Sequence, residues 1–229
     1  MAELFWLLRP PESGRKLATW NSVDMDLEGI TCATIPVHRR AGKRLTDLSV
    51  VIPGLKVDGF VCTWYSECMI QESVLKMFRK EGFTGFEVKP VKVRFKRKTE
   101  IELPKLFEIV VTGWGGMGSA QSGLKLSYKC PTCNHMEFKG VKNFANIIDK
   151  NQWDGSDFFM VWPFPRFKFV TARVADFIRK NKMTGVKLQK PEDHTSISSV
   201  SDIGISPGRL SYYMPEKRAH ELGDPWDIF

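Results

Sequence analysis

Apolar and polar positions along this chain change period several times, and each change marks an element. The first apolar run, Phe5-Trp6-Leu7-Leu8, is closed by Arg9 and Pro10-Pro11 and reads as an opening strand. Residues 29–32 end a short strand, 37–45 form a basic loop, and the apolar run 48–52 closes on a Pro53-Gly54 turn. From Ser66 the period lengthens. Met69, Ile70, Ser73, Val74, Met77 and Phe78 recur at three- and four-residue spacing, with Glu67, Glu72, Lys76, Arg79 and Lys80 between them. This predicts an amphipathic helix capped by Ser66 and stopped at Gly82. Over 89–98 the period falls to two: Val91, Val93 and Phe95 point one way, Lys92, Arg94 and Lys96 the other. That is a half-buried strand with a basic face. Residues 102–112 predict a further strand, paired antiparallel with the basic one.

The glycine-rich stretch 113–123 imitates a dinucleotide fingerprint at Gly113, Gly115 and Gly118. No amphipathic helix follows to cradle a phosphate, so it reads as a flexible hairpin loop. Residues 125–138 then read as strand, knuckle, strand. A helical turn at 144–148 and a strand at 157–162 follow. Residues 170–181 predict a second amphipathic helix, capped by Thr171, with Val174, Phe177 and Ile178 on its apolar face and Arg179-Lys180 at its negative end. A strand restarts at 185–188. The serine-rich segment with Ser196, Ser198, Ser199 and Ser201 reads as a linker. A short helix is expected over 215–222, and Trp226 and Phe229 are placed to dock the tail. No internal repeat is evident. The expected fold class is α+β: a mainly antiparallel sheet, two amphipathic helices and a zinc-ribbon-like Cys-x-x-Cys knuckle. Residues 1–190 form a single domain holding the knuckle at 125–138, and 191–229 a C-terminal extension packed on it.

Composition sets the partners. The chain has 229 residues, 42% hydrophobic and 26% charged, enough for a substantial core. No run approaches the roughly 18 apolar residues of a membrane span, so no membrane association is expected. The N-terminus reads as a strand, not a signal peptide. Five cysteines, an odd count, fit a reducing cytoplasm better than a disulfide framework. Cys62 and Cys68 read as small buried hydrophobes. The formal net charge of +8 favours an acidic partner, nucleic acid or protein. Positive charge concentrates at 38–44 and 89–98. The candidate partner-binding residues are Arg39, Arg40, Lys43, Arg44, Lys92, Arg94 and Lys96, with Tyr212, Tyr213 and Trp226 as further anchors.

Site chemistry rests on Cys130-Pro131-Thr132-Cys133, followed by Asn134 and His135. Two thiols two residues apart can bite one metal ion from a tight turn, and Pro131 fixes φ at its start. A tetrahedral zinc site needs four ligands, and no second C-x-x-C exists. Pairing Cys130 with His135 as nucleophile and base leaves no orienting carboxylate or oxyanion hole to place, and no Ser/His/Asp, H-E-x-x-H or phosphate-loop pattern is present. No enzyme is predicted.

The order of these features resembles the double-CXXCG-motif immunity proteins of bacterial polymorphic toxin systems. It runs from Gly29-Ile30-Thr31-Cys32, through a Pro-Gly segment before a helix, to the late knuckle. Asp157-Phe158-Phe159, then Phe169-Val170-Thr171-Ala172-Arg173 and Met183-Thr184-Gly185-Val186 complete it. Only Cys32 matches in the first motif, where Ile35 stands at the second cysteine position. Both cysteines match in the second, with Asn134 in place of glycine. The resemblance implies three of four zinc thiols, Cys32, Cys130 and Cys133. The fourth ligand is His38 or His135, or else the knuckle is held by packing alone. It further implies a cytoplasmic protein that binds and neutralises a cognate toxin, and the +8 charge of this chain suits an acidic contact surface on that toxin. A nucleic-acid-binding module built on the basic strand and knuckle is the alternative.

Overall fold

The computed structural model describes residues 5–12, 17–64, 67–97, 99–194 and 208–223. The fold is mixed α+β, mostly sheet, with three described α-helices. None is long and apolar enough to cross a membrane.

Contrary to the expectation from sequence, the chain is built twice from one plan. The first copy contains β1 (Phe5–Arg9), β2 (Thr19–Trp20), β3 (Leu27–Thr31), β4 (Arg39–Arg44), β5 (Ser49–Ile52), β6 (Phe60–Cys62), β7 (Cys68–Gln71), α1 (Glu72–Lys80), β8 (Phe86–Pro90) and β9 (Lys92–Phe95). The second contains β10 (Leu106–Val111), β11 (Gly113–Met117), β12 (Lys125–Lys129), β13 (Met136–Lys139), β14 (Phe158–Trp162), β15 (Lys168–Thr171), α2 (Ala172–Lys180) and β16 (Lys187–Gln189). Helix α3 (Glu216–Glu221) follows.

One sheet runs β11-β14-β15-β1-β16 and another β6-β7-β10-β8, with a parallel bridge from Ala18 to Thr63 setting the β2 end beside β6. The two orders correspond member by member. β14 parallels β11, and every other pair within these two sheets is antiparallel. The opening strands are exchanged: β1 lies between β15 and β16 of the second copy, and β10 between β7 and β8 of the first.

The likeness extends to side chains. Val74, Arg79, Lys80, Thr84 and Gly85 recur as Val174, Arg179, Lys180, Thr184 and Gly185. Both helices end alike, with Phe83 N–H donating to Phe78 O at 3.3 Å and Met183 N–H to Ile178 O at 3.1 Å. That bond satisfies a terminal carbonyl through a left-handed residue, Gly82 in one copy and Lys182 in the other. Each turn then docks on the opposite copy. Phe158 N–H donates to Thr84 O at 3.0 Å, and Phe60 N–H to Thr184 O at 2.9 Å. The Thr84 hydroxyl reaches Asp157 at 3.3 Å and that of Thr184 reaches Asp58 at 2.8 Å. Gly85 and Gly185 sit at φ +80° and +88°, and a Cβ there would lie 2.0 and 1.8 Å from the Phe158 and Phe60 carbonyl oxygens.

The core interlocks the copies. Phe78 of α1 packs against Phe60, Phe83 and Phe86 of its own copy and against Phe158 and Phe177 of the other. Leu210, Met214 and Ala219 close this core from the C-terminal side. A second cluster, around Leu48, Val50, Ile52, Met69 and Val93, lies under β5 and β9.

Several boundaries move from those predicted. Helix α1 begins at Glu72, because Cys68–Gln71 are drawn into β7, where Met69 and Ile70 bury in the sheet. The Ser66 cap, the serine-rich linker and the Trp226 and Phe229 docking fall outside the described residues. Thr171 stands at the start of α2 but gives its hydroxyl to Asp157 at 3.0 Å instead of capping. The glycine-rich stretch is no flexible loop: β11 is a sheet strand, and at Gly115 a Cβ would meet the Phe159 ring at 2.6 Å. The basic loop at 37–45 is largely β4, paired antiparallel with β3. The basic strand divides in two. β8 pairs antiparallel with β10, whereas β9 pairs in parallel with β5.

Two substitutions separate backbone strain from close approach. Gly82→Ala, at φ +66° with open space around it, should cost about 1–2 kcal/mol for the left-handed backbone alone. Gly185→Ala should cost clearly more, since it also forces β6 away. Equal losses in urea unfolding would count against the docked turn.

Candidate metal centre

The β3–β4 and β12–β13 hairpins occupy corresponding places in the two copies, and their turns meet. Cys32 and Cys130 each follow directly on the first strand of their hairpin, and their sulfurs face each other at 3.9 Å. Two residues on in each turn, the Thr34 and Thr132 hydroxyls are hydrogen-bonded to each other at 3.0 Å. Cys133 Sγ lies 3.6 Å from His38 Nδ1. The ligand atoms of Cys32, His38, Cys130 and Cys133 all lie within 4.8 Å of one another.

These lengths fit a common ion. With metal–sulfur bonds of about 2.3 Å and metal–nitrogen bonds near 2.0–2.1 Å, a tetrahedron has S···S edges of about 3.8 Å and S···N edges of about 3.6 Å. Three thiols and an imidazole also match a borderline-soft divalent ion such as zinc, and hard ions prefer oxygen. The residues present therefore fit a metal. Cys32, His38 and Cys130 are buried and Cys133 is half-buried.

Backbone geometry prepares the thiols. The N–H groups of Cys133 and Thr132 point at the Cys130 sulfur and bring its pKa down to about 6. The Thr34 hydroxyl, helped by the N–H groups of Thr34 and Ile35, lowers that of Cys32. Cys133 shifts upward, because burial outweighs the bond it receives from the His135 N–H. Asn134 closes the second knuckle at φ +53°, a left-handed conformation that asparagine tolerates. The corresponding residue of the first hairpin is Pro36, whose ring holds φ near −65° and forbids that closure. The chain instead turns with His38 N–H donating to Ile35 O at 3.0 Å. This brings His38 into the ligand position that Cys133 holds in the other copy.

The structure thus joins Cys32, His38, Cys130 and Cys133 and leaves His135 outside the cluster. His135 stacks on the His38 ring, centroids 4.2 Å apart and planes 11° apart, while its Nε2 faces Glu137 at 3.5 Å. The paired threonines are a feature that sequence reasoning missed. Their signal was the shared position two residues after each leading cysteine. Cys62 and Cys68 are buried, as expected, and face each other across β6 and β7 at 3.6 Å, outside that cluster.

The basic candidates separate. Arg44 is committed to an ion pair with Glu108, both largely buried. Lys43 pairs with Glu216 at 3.5 Å. Arg39 and Arg40 lie on β4, but their side chains are outside the described set. Lys92, Arg94 and Lys96 are exposed. Tyr212 and Tyr213 are half-buried along a cleft of about 240 Å³ that also takes in Arg44 and Glu108. Trp226 is not among the described residues. No known family model matches the chain, and no curated protein matches it either.

A cobalt(II) titration should show one ion per chain with a thiolate charge-transfer band. His38→Ala should weaken uptake by at least tenfold and His135→Ala far less; the reverse order would overturn the ligand assignment. Adding Ile35→Cys to His38→Ala should restore uptake, because position 35 corresponds to Cys133. Affinity should fall with pH already in the neutral range, because the raised Cys133 thiol must lose its proton to bind metal, and more steeply below about 6, where Cys130 also protonates.

Proposed function

We propose that this chain is a binding protein stapled by one structural zinc ion, and that it acts as an immunity protein that neutralises a cognate toxin by direct contact. The observation that carries the reading is the closed ligand set. Cys32, His38, Cys130 and Cys133 supply four protein donors, which fill a tetrahedron and leave no position for substrate or water. When bound, the ion supplies cross-linking rather than reaction chemistry. It ties the β3–β4 hairpin of one copy to the β12–β13 hairpin of the other, each of which is a two-stranded ribbon too small to hold its place by burial alone.

The immunity reading draws on the family-like order of features from Gly29 to Asp193 and on the basic charge, which suits an acidic face on the toxin. A protein of this kind works through a specific interface of a few buried anchors within a charged rim. Nothing in that task needs a reacting group.

Co-expression with the product of the adjacent reading frame tests it. The expected result is rescue of growth and a stoichiometric complex that survives nuclease and high salt. A partner lost on nuclease treatment would replace this reading with a nucleic-acid-binding one. Separately, chelation at neutral pH should lower the thermal midpoint of the wild-type chain but not of Cys130→Ser. A chelator-insensitive midpoint in the wild type would remove the zinc staple.

A further inference from the structure

The comparison of the two copies isolates two strands without a counterpart, β5 and β9, which pair with each other. After β8 the first copy continues into β9, which leaves the sheet of its own copy and pairs in parallel with β5. The corresponding stretch after β16 is a short 3-10 turn, Pro191–Asp193, carrying Glu192 and Asp193. β5 and β9 thus depart from the shared plan, and β9 with its flanks carries a dense run of basic residues. Lys89, Lys92, Arg94, Lys96 and Arg97 are all exposed. Lys56 joins them, because parallel pairing brings the ends of β5 and β9 to one side, with Lys96 N–H donating to Ile52 O at 2.9 Å.

Some cations elsewhere are matched: Arg44 with Glu108, Arg173 with Asp157, Arg218 with Asp154. Among the described residues, this row has no acidic partner within salt-bridge distance. Glu87, Glu100 and Glu102 lie close by in sequence without pairing to it. Apolar side chains stand exposed beside it: Leu55 at 46%, Ile101 at 51% and Leu103 at 48%.

We infer that the β9 face is a docking surface for an acidic protein partner, with Lys92, Arg94 and Lys96 as its charged row and Leu55, Ile101 and Leu103 as apolar anchors. This rests on the binding-protein reading and names the surface that serves it. Charge complementarity sets the partner's sign. The aliphatic character of the exposed neighbours sets its class. A protein interface uses apolar anchors inside a charged rim, whereas single-stranded nucleic acid is held on exposed aromatic faces, and Phe95, the aromatic residue of this strand, is half-buried.

The test uses the full chain with zinc and three fluorescent probes: a 20-residue glutamate-rich peptide with interspersed leucines, a single-stranded DNA and a duplex DNA of matched charge. The triple variant K92E/R94E/K96E reverses the row. K139E/K142E/K150E makes the same change in net charge on other exposed lysines. The proposal expects the peptide to bind the wild type, to lose at least tenfold in the first variant and less than threefold in the second. It also expects hydrogen exchange to slow at 53–57 and 87–105. Equal losses in both variants, or protection elsewhere, would overturn it by reducing the effect to net charge. Tighter binding of either DNA, lost with the row, would make the face a nucleic-acid site instead. If the row variant still forms the wild-type complex with the adjacent gene product, this surface falls while the binding reading stands. If the wild type forms none, the binding reading fails on its own account.

Discussion

The exchange of opening strands is the constraint on which everything else depends. β1 supplies the strand between β15 and β16, and β10 the strand between β7 and β8. Neither sheet can be completed by its own copy. An unfilled slot would expose two rows of backbone donors and acceptors, each unpaired group costing free energy comparable to a lost hydrogen bond. The copies must therefore fold together. The docked Thr-Gly turns and the Phe78–Phe158–Phe177 contacts follow from the same arrangement, since each presses an element of one copy onto the other.

The candidate metal cluster is a consequence of that duplication. Two hairpins in corresponding positions place their leading cysteines and threonines face to face. Where the copies remain alike, the site is symmetric. Where they have diverged, local backbone chemistry finds a substitute: Pro36 cannot take the left-handed conformation that Asn134 adopts, and His38 arrives from the following turn. The burial of three of the four donors would keep water from competing for an ion, and the N–H groups aimed at Cys130 favour its thiolate.

Divergence also separates structure from function along the chain. Positions held by the exchange, such as Gly85 and Gly185 or Thr84 and Thr184, stay the same in both copies because both make the same contact. The basic row on β9 belongs to one copy alone and makes none of these exchanged contacts.

By itself the sequence determined the local elements whose signal is short in range. The alternation over 91–96 forecast its buried and exposed faces correctly, and the second helix, the strand–knuckle–strand of 125–138 and the short helix after Pro215 lie close to where pattern placed them. Cys130 and Cys133 were legible because two ligands three positions apart are a local motif. What tertiary structure alone decided was pairing. Helix and strand compete for the run from Cys68 to Gln71, and contact with β6 and β10 settles it as strand. The glycines of 113–117 look like a loop until β14 packs against them. The duplication stayed hidden because the corresponding elements conserve burial and backbone geometry while most side chains differ. The choice of His38 over His135 rested on a turn 95 residues from Cys133, and no periodicity in one segment carries information about which distant segment will face it.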